Sequence, residues 1–261
     1  MKNYCILILT SILVLSELFC QDDVFVYPSM AEVDVEINCQ VIKNDTAFSY
    51  NYTIKNSETS KQKIYGFIIK KFSNLRNIKF PNGWDALTLG LDDGIFWCTP
   101  DSSYYISIGN TLTGLKFTSL SLPSIIKYYI KGYVPIPHFE EGEIPEKIVN
   151  DSIFENSKKG FIVGPRDIPD SADINDLFGD VLEYVKKSQE LGWIADRQTA
   201  IKYDNYISNA RQSYTSGMKN AARSTLFKVL DECMVDKGFA LTSEAFALIY
   251  YNSEYISEKL K

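Results

Sequence analysis

Apolar and polar positions alternate strictly through the first half of the chain, and near residue 170 the rhythm changes to one of three to four. Val33-Asp34-Val35-Glu36-Ile37-Asn38-Cys39 and Phe48-Ser49-Tyr50-Asn51-Tyr52-Thr53-Ile54 send every second side chain to one face. That is the mark of a strand with one wet side. The same reading predicts further strands at 64–69, 77–80, 94–98, 104–108, 113–119 and 125–134. Pro81, Asn82-Gly83, Pro100, Gly109-Asn110 and Pro123 fall between them, where turns belong. Seven or eight short strands at this spacing predict an antiparallel β-sandwich. It is not an immunoglobulin domain in the strict sense, because Trp97 adjoins Cys98 and Phe96 stands where that family has its tyrosine.

In the second half, Ile174, Leu177, Phe178, Val181, Leu182 and Val185 fall on one helical face. Asp173 is placed to cap that helix and Gly192 to end it. A second helix is expected at 196–214, with Ala200, Tyr203, Ile207, Ala210 and Tyr214 inward. Gly217 interrupts, and a third is expected at 218–235 carrying Ala222, Leu226, Val229, Leu230 and Cys233 until Gly238 closes it. Thr242 caps a fourth, with Ala245, Leu248, Ile249, Asn252, Tyr255 and Ile256 on one face. Short connections imply antiparallel neighbours in a four-helix bundle. The fold class expected is therefore α+β in two domains, a β-sandwich over 22–134 and a helical bundle over 171–261. Between them, 135–170 reads as a Pro- and acid-rich connector. It is packed in places, because Ile153, Phe154, Phe161, Ile162 and Val163 are too apolar for a free tether.

The chain opens with Met1-Lys2, an apolar run from Tyr4 to Leu15, and a polar start at Gln21-Asp22-Asp23. This pattern predicts a signal peptide over 1–20 and a secreted or periplasmic protein. The run falls short of the roughly 20 apolar residues that a crossing needs, and no second span follows, so no membrane span is expected after its removal. The remaining length, roughly 240 residues, suits one large domain or two small ones. A formal net charge of −6, with lysines scattered among acids, argues against nucleic acid, which needs clustered cations. Without the leader three cysteines remain. Cys39 and Cys98 are the pair within one domain, either bridged or present as two buried thiols, and Cys233 sits on a helix.

Candidate chemistry is sparse. His138 is the sole histidine and lies in the connector between Pro137 and Phe139, a poor seat for a catalytic base. One histidine and three dispersed cysteines make no zinc site, and 170–176 lacks the ligand ladder of a calcium loop. No phosphate loop is present, so neither cofactor nor metal is expected. Asp92-Asp93, Glu140-Glu141 and Asp173/Asp176 are the acids that a glycosidase pair could draw on. Aromatic side chains are abundant, and Trp84, Tyr104 and Tyr105 in or beside loops are the candidates for stacking on a ligand, with Trp84 after Asn82-Gly83 the ring expected outermost.

Two resemblances follow from these residues. Thr53, Asn56, Gly83, Trp84, Leu112, Gly114, Leu115 and Phe117 sit in a pattern over about 30–135 that resembles a bacterial extracellular β-sandwich accessory module. Leu182, Val185, Gly192-Trp193-Ile194, Met218, Leu226-Phe227 and the Ser243/Ala245/Leu248 helix resemble the small helical modules of the FIMAH and FIVAR type. Such modules are non-catalytic accessory, spacer or interaction parts of exported proteins. The resemblance thus implies an exported binding or scaffolding protein of the cell envelope, with an unidentified protein or glycan as partner and no enzymatic activity. A carbohydrate-binding module is one alternative, and a hydrolase with a carboxylate pair is another. Inhibition or sensing of a partner protein through an apolar patch is a third.

Overall fold

The computed structural model describes residues 24–70, 74–88, 94–135, 147–149 and 154–261. The leader expected at 1–20, His138 and the acid pairs Asp92-Asp93 and Glu140-Glu141 lie outside the described residues. The strands are β1 (Val24–Val26), β2 (Val35–Asn44), β3 (Ala47–Asn56), β4 (Ile64–Ile69), β5 (Arg76–Lys79), β6 (Asp85–Thr88), β7 (Ile95–Cys98), β8 (Thr111–Ser119), β9 (Leu122–Gly132), β10 (Lys147–Val149) and β11 (Lys158–Arg166). Four helices follow: α1 (Ile174–Glu190), α2 (Arg197–Thr215), α3 (Lys219–Asp236) and α4 (Ser243–Lys259). The fold is mixed α+β, with two antiparallel sheets and a C-terminal helical part.

One sheet runs β11-β9-β4-β7-β6 and the other β2-β3-β8-β5, while β1 and β10 form a short parallel pair. Alternation drives the stacking of the two large sheets. Tyr50, Tyr52 and Phe117 from one meet Phe67, Ile95 and Trp97 from the other, all buried. The rings of Phe67 and Trp97 stack at 5.6 Å, and those of Tyr50 and Phe117 at 5.1 Å. Each such ring contributes about 1.5–3 kcal/mol by leaving water. Both tyrosine hydroxyls are satisfied across the core, Tyr50 donating to the Ser121 carbonyl at 2.9 Å and Tyr52 to that of Val163 at 3.0 Å.

The helices begin where the capping residues place them. Asp173 accepts from the Asn175 N–H, Asp196 from that of Thr199 and Thr242 from that of Ala245. Gly192 and Gly217, at φ of +73° and +78°, turn the chain after α1 and α2. Lys202 bridges α2 to Glu232 and Asp236 of α3, at 2.9 and 2.6 Å. Among the described residues no helix is long and apolar enough to cross a membrane.

Sandwich and bundle share α4. Five consecutive residues, Ala245 to Ile249, are buried, because the helix is covered on both sides. Ala247 and Leu248 belong to the sandwich core; Ala245, Phe246, Ile249 and Ile256 belong to the bundle core. The helix also caps the open edge of β2, whose outward groups would otherwise be a template for another strand. The Cys39 N–H donates to Glu244 Oε1 at 2.5 Å, the Ser243 hydroxyl donates to the Cys39 carbonyl at 3.1 Å, and the Lys43 N–H donates to the Tyr251 hydroxyl at 3.4 Å. On the other sheet, Asn252 Nδ2 donates to the Pro123 carbonyl at 2.9 Å.

Several expectations are corrected. The connector expected over 135–170 contains β11, which pairs with β9 along its whole length from Lys158↔Ile130 to Arg166↔Leu122. Its apolar Ile162 and Val163 go into the sandwich core, which is why a free tether fails there. The strand expected at 104–108 is instead a 3-10 turn at Ser102–Tyr104, capped by the Asp101 carboxylate, followed by a single bridge from Ile106 to Ile64. The edge strand β6 was not expected, since its four residues carry little burial to mark them. The Cys39–Cys98 bridge does not form, and both thiols are free. Cys39 lies in the core between the sheets, whereas Cys98 joins Ile68, Phe96 and Tyr129 on the outer face of the five-stranded sheet.

Candidate functional site

Of the three rings expected to stack on a ligand, the structure separates one from the other two. Trp84 is not an exposed platform. It is 4% exposed, belongs to the sandwich core, and its Nε1–H donates to the Tyr104 carbonyl at 3.1 Å. The Asn82-Gly83 turn that suggested exposure folds the indole inward, with Gly83 at φ +80°. A Cβ on Gly83 would lie 2.2 Å from the Tyr104 ring, so that ring packs directly on glycine backbone. Tyr104 is 40% exposed.

Tyr105 sits in a corner of tyrosines. Its ring lies 5.0 Å from that of Tyr133 and 6.0 Å from that of Tyr65. Tyr65 comes from β4, where a register shift between Ile64 and Gly66 bulges the strand, and Tyr133 follows the end of β9. The Tyr65 hydroxyl donates to Met30 Sδ at 3.5 Å. Burial, then the neighbouring Tyr105, pushes the Tyr65 phenol up to about 12, and burial with Tyr133 raises Tyr105 as well. These phenols stay neutral at physiological pH, so the corner offers apolar faces with O–H donors at their rims. Tyr133, at 41% exposed, gives it an open side. Reading 129, 131 and 133 as one face of a period-two strand is the signal that could have added Tyr133 to the expected residues.

A second feature is a groove of about 850 Å³ between α1 and the β9–β11 edge, lined by Ile125, Phe161, Arg166, Asp180, Tyr184 and Lys187 among others. Four of its charged residues are matched in two pairs, while Glu183, Lys186 and Asp204 also line it. Arg166 forks onto Asp180, which raises the guanidinium pKa, and Lys187 pairs with Glu190 at 2.8 Å. Lys187 also lies 5.1 Å from the centroid of the Phe161 ring, and the Tyr184 hydroxyl donates to Ser124 Oγ at 3.1 Å. A hydrolytic pair needs one carboxyl held protonated beside one ionised. The resolved shifts among described carboxylates all run the other way. Asp101 and Asp196 are lowered by backbone N–H donors, and Glu190 by Lys187. Asp173 is occupied as the α1 cap. Among the described residues no three His, Cys, Asp or Glu side chains converge as metal ligands would. No family model matches the chain, and no curated protein matches it.

Proposed function

We propose that the mature chain is an exported, non-catalytic binding or scaffolding protein of the bacterial cell envelope. The observation that carries this reading is the double docking of α4. By lying in both cores and capping β2, it makes sandwich and bundle one body that holds its outer faces in fixed relation. A scaffold needs such rigidity, because a partner then pays no ordering cost for the surface it meets.

A carbohydrate-binding role is the second reading, and the tyrosine corner favours it. Tyr105 and Tyr133 offer ring faces near solvent, the feature on which sugars stack, although the platform expected around Trp84 is absent. The test is a pull-down from the native envelope with the mature protein as bait, run beside a glycan array. A Tyr105→Ala/Tyr133→Ala variant serves as the control. A specific protein recovered by both baits supports scaffolding. A glycan bound by the wild type and lost in the variant supports the second reading. Hydrolysis of envelope polysaccharide by the purified protein would overturn both.

A further inference from the structure

On the outer face of the four-stranded sheet two cations stand side by side. Lys79 of β5 is the cross-strand partner of Lys116 of β8. Side chains so placed have Cβ atoms roughly 4.5–5.5 Å apart, and like charges there repel. A bulge sets the pairing. From Arg76↔Thr118 to Lys79↔Lys116, β5 advances three residues while β8 advances two. Asn77 takes up the excess with φ +52°, in the left-handed region. Without the bulge Lys79 would turn to the core side, since a one-residue slip moves a side chain to the other face. With it, Leu75 and Ile78 both pack on the core, and Lys79 joins Lys116 outside.

Both lysines line a cavity of about 270 Å³ together with Asn44, Ser49, Asn77 and Thr118. One wall is fixed, because Asn77 Nδ2 donates to Thr118 Oγ1 at 3.1 Å and that hydroxyl donates to the Arg76 carbonyl at 3.1 Å. The other donors are uncommitted. Among the described residues neither ammonium forms an ion pair or a hydrogen bond, and the side chains of Asn44 and Ser49 donate to nothing. No described carboxylate lines the cavity. Along β2, β3, β8 and β5 the one acid on this face is Glu36, toward the far end of β2, where it pairs with Lys55 at 3.8 Å. The result is a surface of cations and neutral donors on a chain of net charge −6.

We propose that this cavity binds a tetrahedral oxyanion, phosphate or sulfate, free or as the ester of a small polar molecule, between the Lys79 and Lys116 ammoniums. The Ser49 hydroxyl and the Asn44 amide add neutral donors. A tetrahedral anion points its oxygens in several directions and so meets donors drawn from four strands, whereas a carboxylate offers two oxygens in one plane. Charged hydrogen bonds to such oxygens are among the strong ones, and lysine serves there as a point charge on a flexible stem. The volume lies just under the roughly 300–1,000 Å³ of ligand pockets, so it takes an anionic head and leaves the rest of the molecule outside. Binding also cancels the repulsion between the two lysines, so it stabilises the fold that carries them. The site is on the other sheet from the tyrosine corner, and it stands whether or not a glycan or an envelope partner is recovered.

The test uses the full mature chain. Inorganic phosphate, inorganic sulfate, glucose 6-phosphate and glucose are titrated by calorimetry at pH 7 and fixed ionic strength, so that general screening is held constant. At least one of the three anions should bind, and glucose should not. Tighter binding of glucose 6-phosphate than of either free ion assigns an ester; equal or weaker binding assigns the free ion. Lys79→Gln and Lys116→Gln should each weaken the binding at least about tenfold. Lys55→Gln, on the same face but outside the cavity, should leave it unchanged. No binding of any anion, full affinity in both cavity variants, or an equal loss in all three variants overturns the proposal. The folding control is thermal. Without anion both cavity variants should melt at or above the wild type, because each removes one of two opposed charges. The anion that binds should raise the melting temperature of the wild type and not of the cavity variants. Cavity variants that both melt below the wild type without anion would mean that the lysines are already paired within the folded chain, and would also overturn it.

Discussion

Glu244 is the most informative side chain to remove. It is 1% exposed in the first turn of α4, accepts the Cys39 N–H at 2.5 Å, and has Oε2 3.1 Å from the Ser243 hydroxyl, whose one proton it shares with the Cys39 carbonyl. Glu244→Ala strands the Cys39 N–H at a buried strand edge, which costs about 1–3 kcal/mol. It also takes an anion from the positive end of a helix, about 0.3–1 kcal/mol. Against these stands the relief of no longer holding a carboxylate out of water, which offsets part of the loss. The net expectation is a destabilisation of roughly 2 kcal/mol, or about 4–8 °C in melting temperature for a chain of this size. Glu244→Gln keeps a carbonyl for the Cys39 N–H and should cost about half as much. Thermal unfolding followed by near-UV and far-UV circular dichroism gives the result. Tertiary signal from the tryptophans and helical signal should fall together in all three proteins. A Glu244→Ala variant that melts with the wild type would refute the reasoning, and so would one in which glutamine is worse than alanine.

Other expectations follow from the same geometry. Trp84→Ala should cost about 3–5 kcal/mol, as for any large core ring, whereas Trp84→Phe should stay folded with a modest loss from the missing bond to Tyr104; chemical denaturation distinguishes the two. Thr242→Ala removes the α4 cap and should cost about 1 kcal/mol by the same assay. In the native protein, Cys98, half-exposed with its thiol raised by burial and by Asp85, should react slowly with an alkylating reagent. Cys39 and Cys233 should react only after unfolding, and non-reducing peptide mapping that finds Cys39 joined to Cys98 would contradict the assignment of free thiols. Burial pulls the Lys202 pKa down, but Asp236 and Glu232 outweigh it and hold the pKa above 10.5. Its contribution to stability is therefore complete below 10.5 and is lost as pH rises through the higher folded value, so Asp236→Asn should flatten the alkaline limb of the stability curve.

Much of the architecture was legible from period alone. The switch from two to three-to-four near residue 170, with Asp173, Asp196 and Thr242 ahead of apolar repeats, located the helices to within a residue or two, because caps are local chemistry. β11 was hidden, since Gly160, Gly164 and Pro165 read as punctuation even though Ile162 and Val163 are core. An edge strand tolerates proline, so its sequence looks like a loop. The role of α4 was present but not read. Five apolar or small residues in a row, from Ala245, mark a helix covered on more than one side rather than the rim of a bundle. Of the ligand candidates, Tyr105 was visible as a loop aromatic and Tyr133 through its period-two spacing from 129 and 131, but Tyr65 joins them only through the pairing of β4 with β9, which local sequence does not encode. Trp84 misled because a turn fixes the backbone and not the side to which the next ring is thrown.

Native-state hydrogen exchange tests the shared helix most directly. If α4 completes both cores, the amides of Tyr50 and Tyr52 in β3 and of Leu248 and Ile249 in α4 open with one common free energy and one common dependence on denaturant. Helical amides that open at a much lower free energy while β3 stays protected would mean that sandwich and bundle fold apart, and would contradict the account.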